Sequence, residues 1–372
     1  MNRERNYGID ALRIVSMLMV VLMHVLFFGG ILSSKQLSGI QYLAAWTMEA
    51  ACYCAVNCFA LISGYVGVQT KPKAASIMMQ WLQVVFYLAG FSLLLGALFP
   101  GRENASSWLS DLTPVTTRTY WYFSCYFVLC LIMPLLNFLL LSAPKRMLGK
   151  ALALAAGCVI VLSWLGRRDL FGFARGYSVS WLVLLYLAGG YLRLYGKDIR
   201  AFLWLRRHGL WVFALCVILM GAANFAVSRA ERPSLMTALL DRDCFIYSFM
   251  SPPACLCSMA LVAVFSAWRP GKRMCRAIAC LSPAAFGVYL IHLQPDVFSL
   301  VIENRFAQLA TANVLVLMLM SFSAALVIYA ACTAIELVRI RLFALLRIRR
   351  GCERLCTALA HILGYKEETA KL

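Results

Sequence analysis

The chain has 372 residues, of which 62% are hydrophobic and only 14% are charged, and its mean hydropathy is +0.78. This composition excludes an ordinary soluble domain, because apolar runs of about 20 residues recur along the whole length. The net charge of +19 could suit a nucleic-acid-binding protein, but the basic residues follow a membrane pattern instead.

The apolar runs predict an all-α integral membrane protein with about ten transmembrane helices. In chain order, the predicted spans are 11–31, 42–66, 77–99, 119–142, 148–166, 176–195, 209–228, 244–266, 281–302 and 312–336. The connections are short and leave no room for a soluble catalytic domain. We therefore predict one transmembrane domain over 1–336 and a basic amphipathic cytoplasmic tail over 337–372.

The lysines and arginines are distributed unequally between the two sides of the membrane. With the N-terminus placed inside, 24 of the 35 fall on the inner side, 10 fall on the outer side, and Arg13 lies within the first span. This bias predicts cytoplasmic N- and C-termini in a multipass protein of the cell (inner) membrane. The tail from Arg339 onward is expected to lie among anionic lipid headgroups. The expected partner is the lipid bilayer, with no nucleic acid.

Two other features of the sequence favour simple explanations. Arg13 and His24 interrupt the first apolar run and no small-residue cleavage site follows, so we expect a retained helix and not a cleaved signal peptide. The 15 cysteines fall mostly in apolar spans and lack the CxxC spacing of metal sites. We predict that they pack as small apolar side chains, and we predict no metal site.

Arg13 and His24 are the main candidates for functional residues. Both lie within the first span, where an ionisable group costs at least a few kcal/mol and functional use is the default hypothesis. Their spacing of 11 residues puts them on one face of a helix, about 16 Å apart along its axis. The first span therefore predicts a polar site inside the membrane.

Four segments spread along the chain carry the remaining polar and small residues of interest. In chain order, they are Tyr7 to Arg13 with His24, Asn57 to Tyr65, Trp121 to Tyr126 with Pro134 and Asn137, and Phe286 to His292. Together they resemble motifs of the acyltransferase-3 family of multipass membrane acyltransferases. That family opens with a basic residue, ten spacers and a histidine, which Arg13 and His24 match. Some members carry an Arg-x-x-Arg pair after the second helix, whereas this chain has only Lys71 and Lys73 there.

The resemblance implies a ten-helix enzyme that moves an acyl group, often acetyl, from cytoplasmic acyl-CoA to an acceptor. In many members the acceptor is a hydroxyl of a cell-surface glycan or its precursor. We expect acyl-CoA, with acetyl-CoA as the first candidate, to act as donor substrate, and we expect no bound cofactor.

The residues themselves suit acyl transfer. A hydroxyl acceptor needs a base, and His24 is a side chain of suitable pKa in the outer half of the first span. Arg13 lies toward the cytoplasmic end, where the phosphates of CoA would arrive, and Asp10 can pair with it as an i,i+3 neighbour. The alternative is that Arg13 only anchors the helix at the inner interface by pairing with Asp10.

Glu49 lies at a depth similar to that of His24 on the next span. It is a candidate catalytic residue that would orient the imidazole, or else a structural polar partner between helices.

The other motif side chains are assigned to a substrate cavity, and they are Ser63, Tyr65, Trp121, Tyr122, Tyr126, Asn137, Tyr289 and His292. Several have simpler explanations: an aromatic belt at the interface for Trp121, Tyr122 and Tyr126, and a helix-packing hydrogen bond for His292. Ser63 lacks a GxSxG context, which argues against a serine nucleophile.

Two classes of function follow from this pattern. The first is a membrane O-acyltransferase. The second is a transporter or flippase of a small polar solute or acyl group, since intramembrane charges also mark permeation pathways. The sequence shows no inverted repeat and no matched pair of helices broken by glycine or proline, which favours the enzyme. A third possibility is an acyltransferase of the membrane-bound O-acyltransferase type. Such an enzyme would also use an intramembrane histidine, but the remaining motifs of this chain do not support it.

Overall fold

A computed structural model describes residues 5–70, 73–99, 114–115, 119–166, 172–230 and 247–362, without the side chains of 162–166. Lys71, residues 244–246 of the eighth predicted span and the last ten residues of the tail lie outside the described residues. Within these ranges the regular secondary structure is helical. In chain order, the α-helices are α1 (Tyr7–Phe27), α2 (Gly39–Cys52), α3 (Ala55–Gly67), α4 (Ala74–Leu98), α5 (Trp121–Ser142), α6 (Lys145–Gly166), α7 (Val179–Tyr195), α8 (Arg200–Arg229), α9 (Pro252–Ala267), α10 (Lys272–Leu281), α11 (Ala285–His292), α12 (Pro295–Val301), α13 (Val314–Leu345) and α14 (Ile348–Ile362).

The helices confirm the all-α membrane architecture. Eight helical segments of the described chain are long and apolar enough to cross a bilayer, and α9 is a shorter apolar helix. Together with α6, they coincide with the ten predicted spans. The bounds differ most in the ninth span, where the helical segment covers Lys272–His292 and not 281–302.

Helix α1 lies at the centre of the bundle and contacts α2, α3, α9, α11 and α13. Asn6 caps its start: the side-chain oxygen accepts from the Ile9 amide at 3.2 Å, and the side-chain nitrogen donates to the Ser266 carbonyl at 3.1 Å. A side chain at Gly8 would overlap the Phe265 carbonyl oxygen, so glycine permits the close approach of α9. These contacts hold the Arg13 end of α1 in place.

Two of the recognised motifs are explained by helix packing. A Cβ at Gly64 would overlap the Tyr186 carbonyl oxygen, so this glycine lets α3 and α7 cross closely. Asn137 of α5 donates to the carbonyls of Gly67 and Thr70 at 3.1 and 3.2 Å, and its side-chain oxygen accepts from the Tyr186 hydroxyl at 2.7 Å. Asn137 thereby connects the end of α3 and the residues that follow it to α5 and α7.

Two of the membrane spans are interrupted beside the centre of the bundle. The second changes helix at Tyr53–Cys54, and the ninth is broken at Ser282–Ala284 and again after His292. Pro283 and Pro295 stand at the two breaks of the ninth span, where their missing amide hydrogens end regular helix. The break in the second span contains neither glycine nor proline, so the two breaks lack the matched glycine or proline residues that are typical of transporter helices.

The last membrane helix extends beyond the predicted span. Helix α13 continues to Leu345, and Arg339, which the sequence assigned to the tail, is only 9% exposed. It pairs with the fully buried Glu336 one turn earlier. The amphipathic α14 follows and packs against α4.

Candidate active site

A cavity of about 720 Å³ lies beside α1 and reaches from Arg13 to His24. Arg13, Met17, Val20 and His24 recur every three or four residues, so one face of α1 forms a wall of the cavity over its length. The opposite walls come from α2, α3, α4, α5 and α11. Eleven residues of helix separate the two polar ends by about 16 Å.

At one end, Arg13 is held by an acidic neighbour. Its Nη1 donates to Asp10 Oδ1 at 3.0 Å, and the other carboxylate oxygen accepts from Arg5 Nε at 2.5 Å. Asp10 does not line the cavity, whereas Arg13 does. One carboxylate between two guanidinium groups leaves this end positively charged, which suits an anionic ligand. The predicted Asp10–Arg13 pair is present, but it does not remove Arg13 from the cavity.

Polar side chains of α3, α4 and α5 line the cavity together with Arg13. Ser63, Gln80 and Gln83 line the cavity, and Tyr126 lies near both Ser63 and Arg13. The Ser63 hydroxyl donates to the Phe59 carbonyl at 2.8 Å, one helical turn earlier. Its proton is therefore engaged by the backbone and not by a base, which agrees with the sequence argument against a serine nucleophile.

At the other end, His24 is hydrogen-bonded to a second histidine. His24 Nδ1 lies 2.9 Å from His292 Nε2, and His292 Nδ1 lies 2.6 Å from the Val288 carbonyl oxygen. A carbonyl oxygen can only accept, so Nδ1 of His292 carries a hydrogen. A neutral His292 then has a lone pair on Nε2, which accepts the Nδ1 hydrogen of His24. In this arrangement His24 keeps its Nε2 lone pair free to act as a base.

The two histidines have different surroundings. His24 is partly exposed and lines the cavity, whereas His292 is fully buried and does not. The Phe28 and Phe298 rings lie edge-on to the His24 imidazole, with centroids 5.6 and 6.4 Å away. Of the two interpretations of His292, the structure therefore favours a helix-packing hydrogen bond over substrate contact. That bond is made to the candidate base itself.

Glu49 does not orient either histidine. Its carboxyl group makes no hydrogen bond to His24 or His292, and within the described residues Glu49 Oε2 has no hydrogen-bond partner. The imidazole of His24 is oriented by His292 instead. Glu49 does line the cavity, together with the rings of Tyr53, Trp121, Tyr177 and Phe249.

The predicted cavity residues divide into two groups. Ser63, Trp121, Tyr122, Tyr126 and Tyr289 line the cavity, as do the catalytic candidates and Arg13. The remainder lie behind it: Asp10, Tyr65, Asn137 and His292. Tyr65 is buried beneath the Arg193 guanidinium, which lies 5.3 Å from the ring centroid.

The sequence motifs do not include Glu336, which forms the centre of a buried polar cluster. Its carboxylate accepts from the Tyr87 hydroxyl at 2.5 Å, from Gln83 Nε2 at 3.2 Å and from Arg339. A Cβ at Gly287 would overlap the same carboxylate, which explains the glycine of the Phe286–His292 motif. The available signal was a glutamate within an apolar span, three residues before an arginine.

The fold and the cavity define a multipass membrane protein with a polar site between its helices. Residues 6–333 match the family model described as an acyltransferase domain, Acyl_transf_3. The chain belongs to this family, as the four motifs indicated, and is therefore a membrane acyltransferase. Neither the curated proteins nor the solved structures include a match to the chain.

Proposed function

We propose that the protein transfers an acyl group, acetyl in the first instance, from cytoplasmic acyl-CoA to a hydroxyl of a cell-surface glycan or its precursor. The observation that carries this proposal is the single cavity that joins a cationic end at Arg13 to a histidine with a free Nε2 at His24.

The donor belongs at the Arg13 end. With the cytoplasmic N-terminus that the charge bias predicts, this end faces the compartment that contains acyl-CoA. The Arg13 guanidinium can donate to phosphate oxygens, since Asp10 contacts only its Nη1. The acyl chain and its thioester would extend along α1 toward His24.

The acceptor belongs at the His24 end. Nε2 of His24 takes the proton of the acceptor hydroxyl while the hydroxyl oxygen attacks the thioester carbonyl carbon. The carbon–sulfur bond then breaks, and the thiolate leaves and recovers the proton from His24. The hydrogen bond from Nδ1 to His292 holds the ring in the tautomer that this step needs.

The test is acyl turnover by the full-length protein in lipid nanodiscs. Purified protein is given radiolabelled acetyl-CoA and a soluble glycan fragment, and labelled glycan and free CoA are measured. We expect transfer by the wild type and a loss of about 10²–10⁴-fold in His24→Ala, which lacks the base.

A matched control is Ser63→Ala, which removes a hydroxyl from the same cavity without removing a base. It should retain most of the turnover, because the Ser63 hydroxyl is bonded to the Phe59 carbonyl. Near-normal turnover in His24→Ala would contradict the assignment of the base. Solute flux in proteoliposomes without any acyl transfer would instead support the transporter.

A further inference from the structure

A buried carboxylate in the cavity wall has no use in the transfer step described above. Glu49 is 2% exposed and lines the cavity, yet its Oε2 has no hydrogen-bond partner, and no ion pair of Glu49 is present among the described residues. A carboxylate withdrawn from water is costly unless a cation or hydrogen-bond donors compensate it. The missing partner is therefore expected to come from the ligand.

A cluster of aromatic rings lines the same cavity, and one of its members, Tyr177, lies close enough to Glu49 to interact with it electrostatically. The Trp121 and Tyr177 ring centroids lie 4.5 Å apart, and Phe249 lies 4.8 Å from Tyr177 and 5.9 Å from Trp121. The Tyr53 ring, one helical turn after Glu49, lies 5.4 Å from Phe249. We call Glu49 and these four rings the Glu49 site.

The chemistry of the Glu49 site suits a cation. Faces of aromatic rings carry negative potential and attract Lys, Arg or ammonium groups, whereas they repel anions. Glu49 interacts electrostatically with Tyr177. Burial raises the pKa of the Tyr177 phenol, and the nearby Glu49 carboxylate raises it further. Arg175 also lies near Tyr177, but its side chain is exposed and forms no ion pair with Glu49. A positive group from the ligand would satisfy the carboxylate and the rings together.

Resting on the proposed function, we infer that the acceptor carries a positively charged amine near its reacting hydroxyl and that the Glu49 site binds this amine. Tyr177 is 47% exposed, so the site adjoins the surface through which an acceptor can enter. His24 lines the same cavity, where the hydroxyl of the bound acceptor would be deprotonated. The Glu49 site thus selects the acceptor by charge, separately from the donor end at Arg13.

The experiment compares two alcohols of the same shape, of which only one is charged. Choline carries a quaternary ammonium, and 3,3-dimethylbutan-1-ol has an uncharged tert-butyl group in its place. Binding of each to the full-length protein in nanodiscs is measured by calorimetry without acyl-CoA. We expect the wild type to bind choline at least about tenfold more tightly than the neutral alcohol.

Two variants test whether the preference for choline comes from the Glu49 site. Glu49→Gln keeps the size of the side chain but removes its charge, and Trp121→Leu removes one ring; each should reduce the preference several-fold or more. Glu303→Gln is the control, because Glu303 is an exposed carboxylate outside the cavity lining. It should leave the preference unchanged.

Equal binding of the two alcohols, no binding of choline, or an unchanged preference in Glu49→Gln would each overturn the inference. The outcome is independent of the proposed function, since no donor is present. Charge-dependent binding without acyl transfer would support the Glu49 site and contradict the proposed function. Acyl transfer to glycans without any charge preference in binding would support the proposed function and contradict the Glu49 site.

Discussion

Hydrogen bonding between His24 and His292 gives one side chain in the cavity a defined protonation pattern. His292 donates to the Val288 carbonyl and offers Nε2 to His24, so its buried ring acts on the candidate base and not on a substrate. Partners of this kind orient a functional histidine and select its tautomer.

His292→Ala should lower kcat about 10- to 100-fold with little change in donor affinity, because His24 would lose its orienting partner. His292→Gln should recover part of this loss, since its side-chain oxygen can accept from His24 Nδ1 and its nitrogen can donate to Val288. Steady-state kinetics with acetyl-CoA measure the split between kcat and KM. Equal activity of the Gln and Ala variants, both folded, would argue against a positioning role.

Arg13 and Arg5 provide a matched pair for the donor end. Both contact Asp10, but only Arg13 lines the cavity. Arg13→Ala should weaken acyl-CoA binding about 10- to 100-fold, the equivalent of a lost charge-assisted contact, and Arg13→Lys should recover part of it. Arg5→Ala should weaken binding much less, because Arg5 adds to the positive charge of this end but does not line the cavity. Direct measurement of acyl-CoA affinity decides the matter, and an unchanged affinity in Arg13→Ala would reduce Arg13 to the interface anchor.

At the scale of elements, the interrupted ninth span is held by the buried cluster around Glu336. This cluster joins α4, α11 and α13, because Tyr87 and Gln83 donate to Glu336 where Gly287 leaves room for the carboxylate. The position of α11 sets the position of His292, and therefore the hydrogen bond to His24. Packing of α11 against α13 is thus linked to the geometry of the base.

Gly287→Ala should destabilise the fold by about 1–3 kcal/mol, because the added methyl group overlaps the Glu336 carboxylate. Thermal unfolding of the purified protein, followed by fluorescence, should show a lower Tm. Gly90→Ala is the control: this glycine lies within α4, and an added Cβ would have no neighbour within 4 Å. A Tm for Gly287→Ala equal to that of Gly90→Ala would contradict the packing argument.

At the scale of the whole molecule, the orientation of the protein in the membrane is still a prediction from the sequence. The charge bias places both termini in the cytoplasm, so Lys35 between α1 and α2 should face outward and Lys197 between α7 and α8 should face inward.

Lys35→Cys and Lys197→Cys, each in a cysteine-depleted background, can be tested in intact cells with an impermeant thiol reagent. We expect Lys35→Cys to react before lysis and Lys197→Cys only after it. The opposite pattern would reverse the orientation and place the Arg13 end of the cavity outside.

Much of the architecture and part of the site could be predicted from the sequence. Hydropathy is a local property, so each of the ten spans leaves its own apolar signal, and a charged residue such as Arg13 is conspicuous within one. The helical repeat also places Arg13 and His24 on one face, because both belong to the same helix.

Only the tertiary structure decided which helices meet. His24 and His292 are 268 residues apart, and Tyr87 and Glu336 are 249 apart, so neither pair leaves a local pattern. For the same reason Glu49 could be assigned a similar depth to His24 but not a partner. Contacts between helices depend on how their surfaces fit, including the glycines at Gly64 and Gly287, and a spacing along one helix carries no information about the neighbour that packs against it.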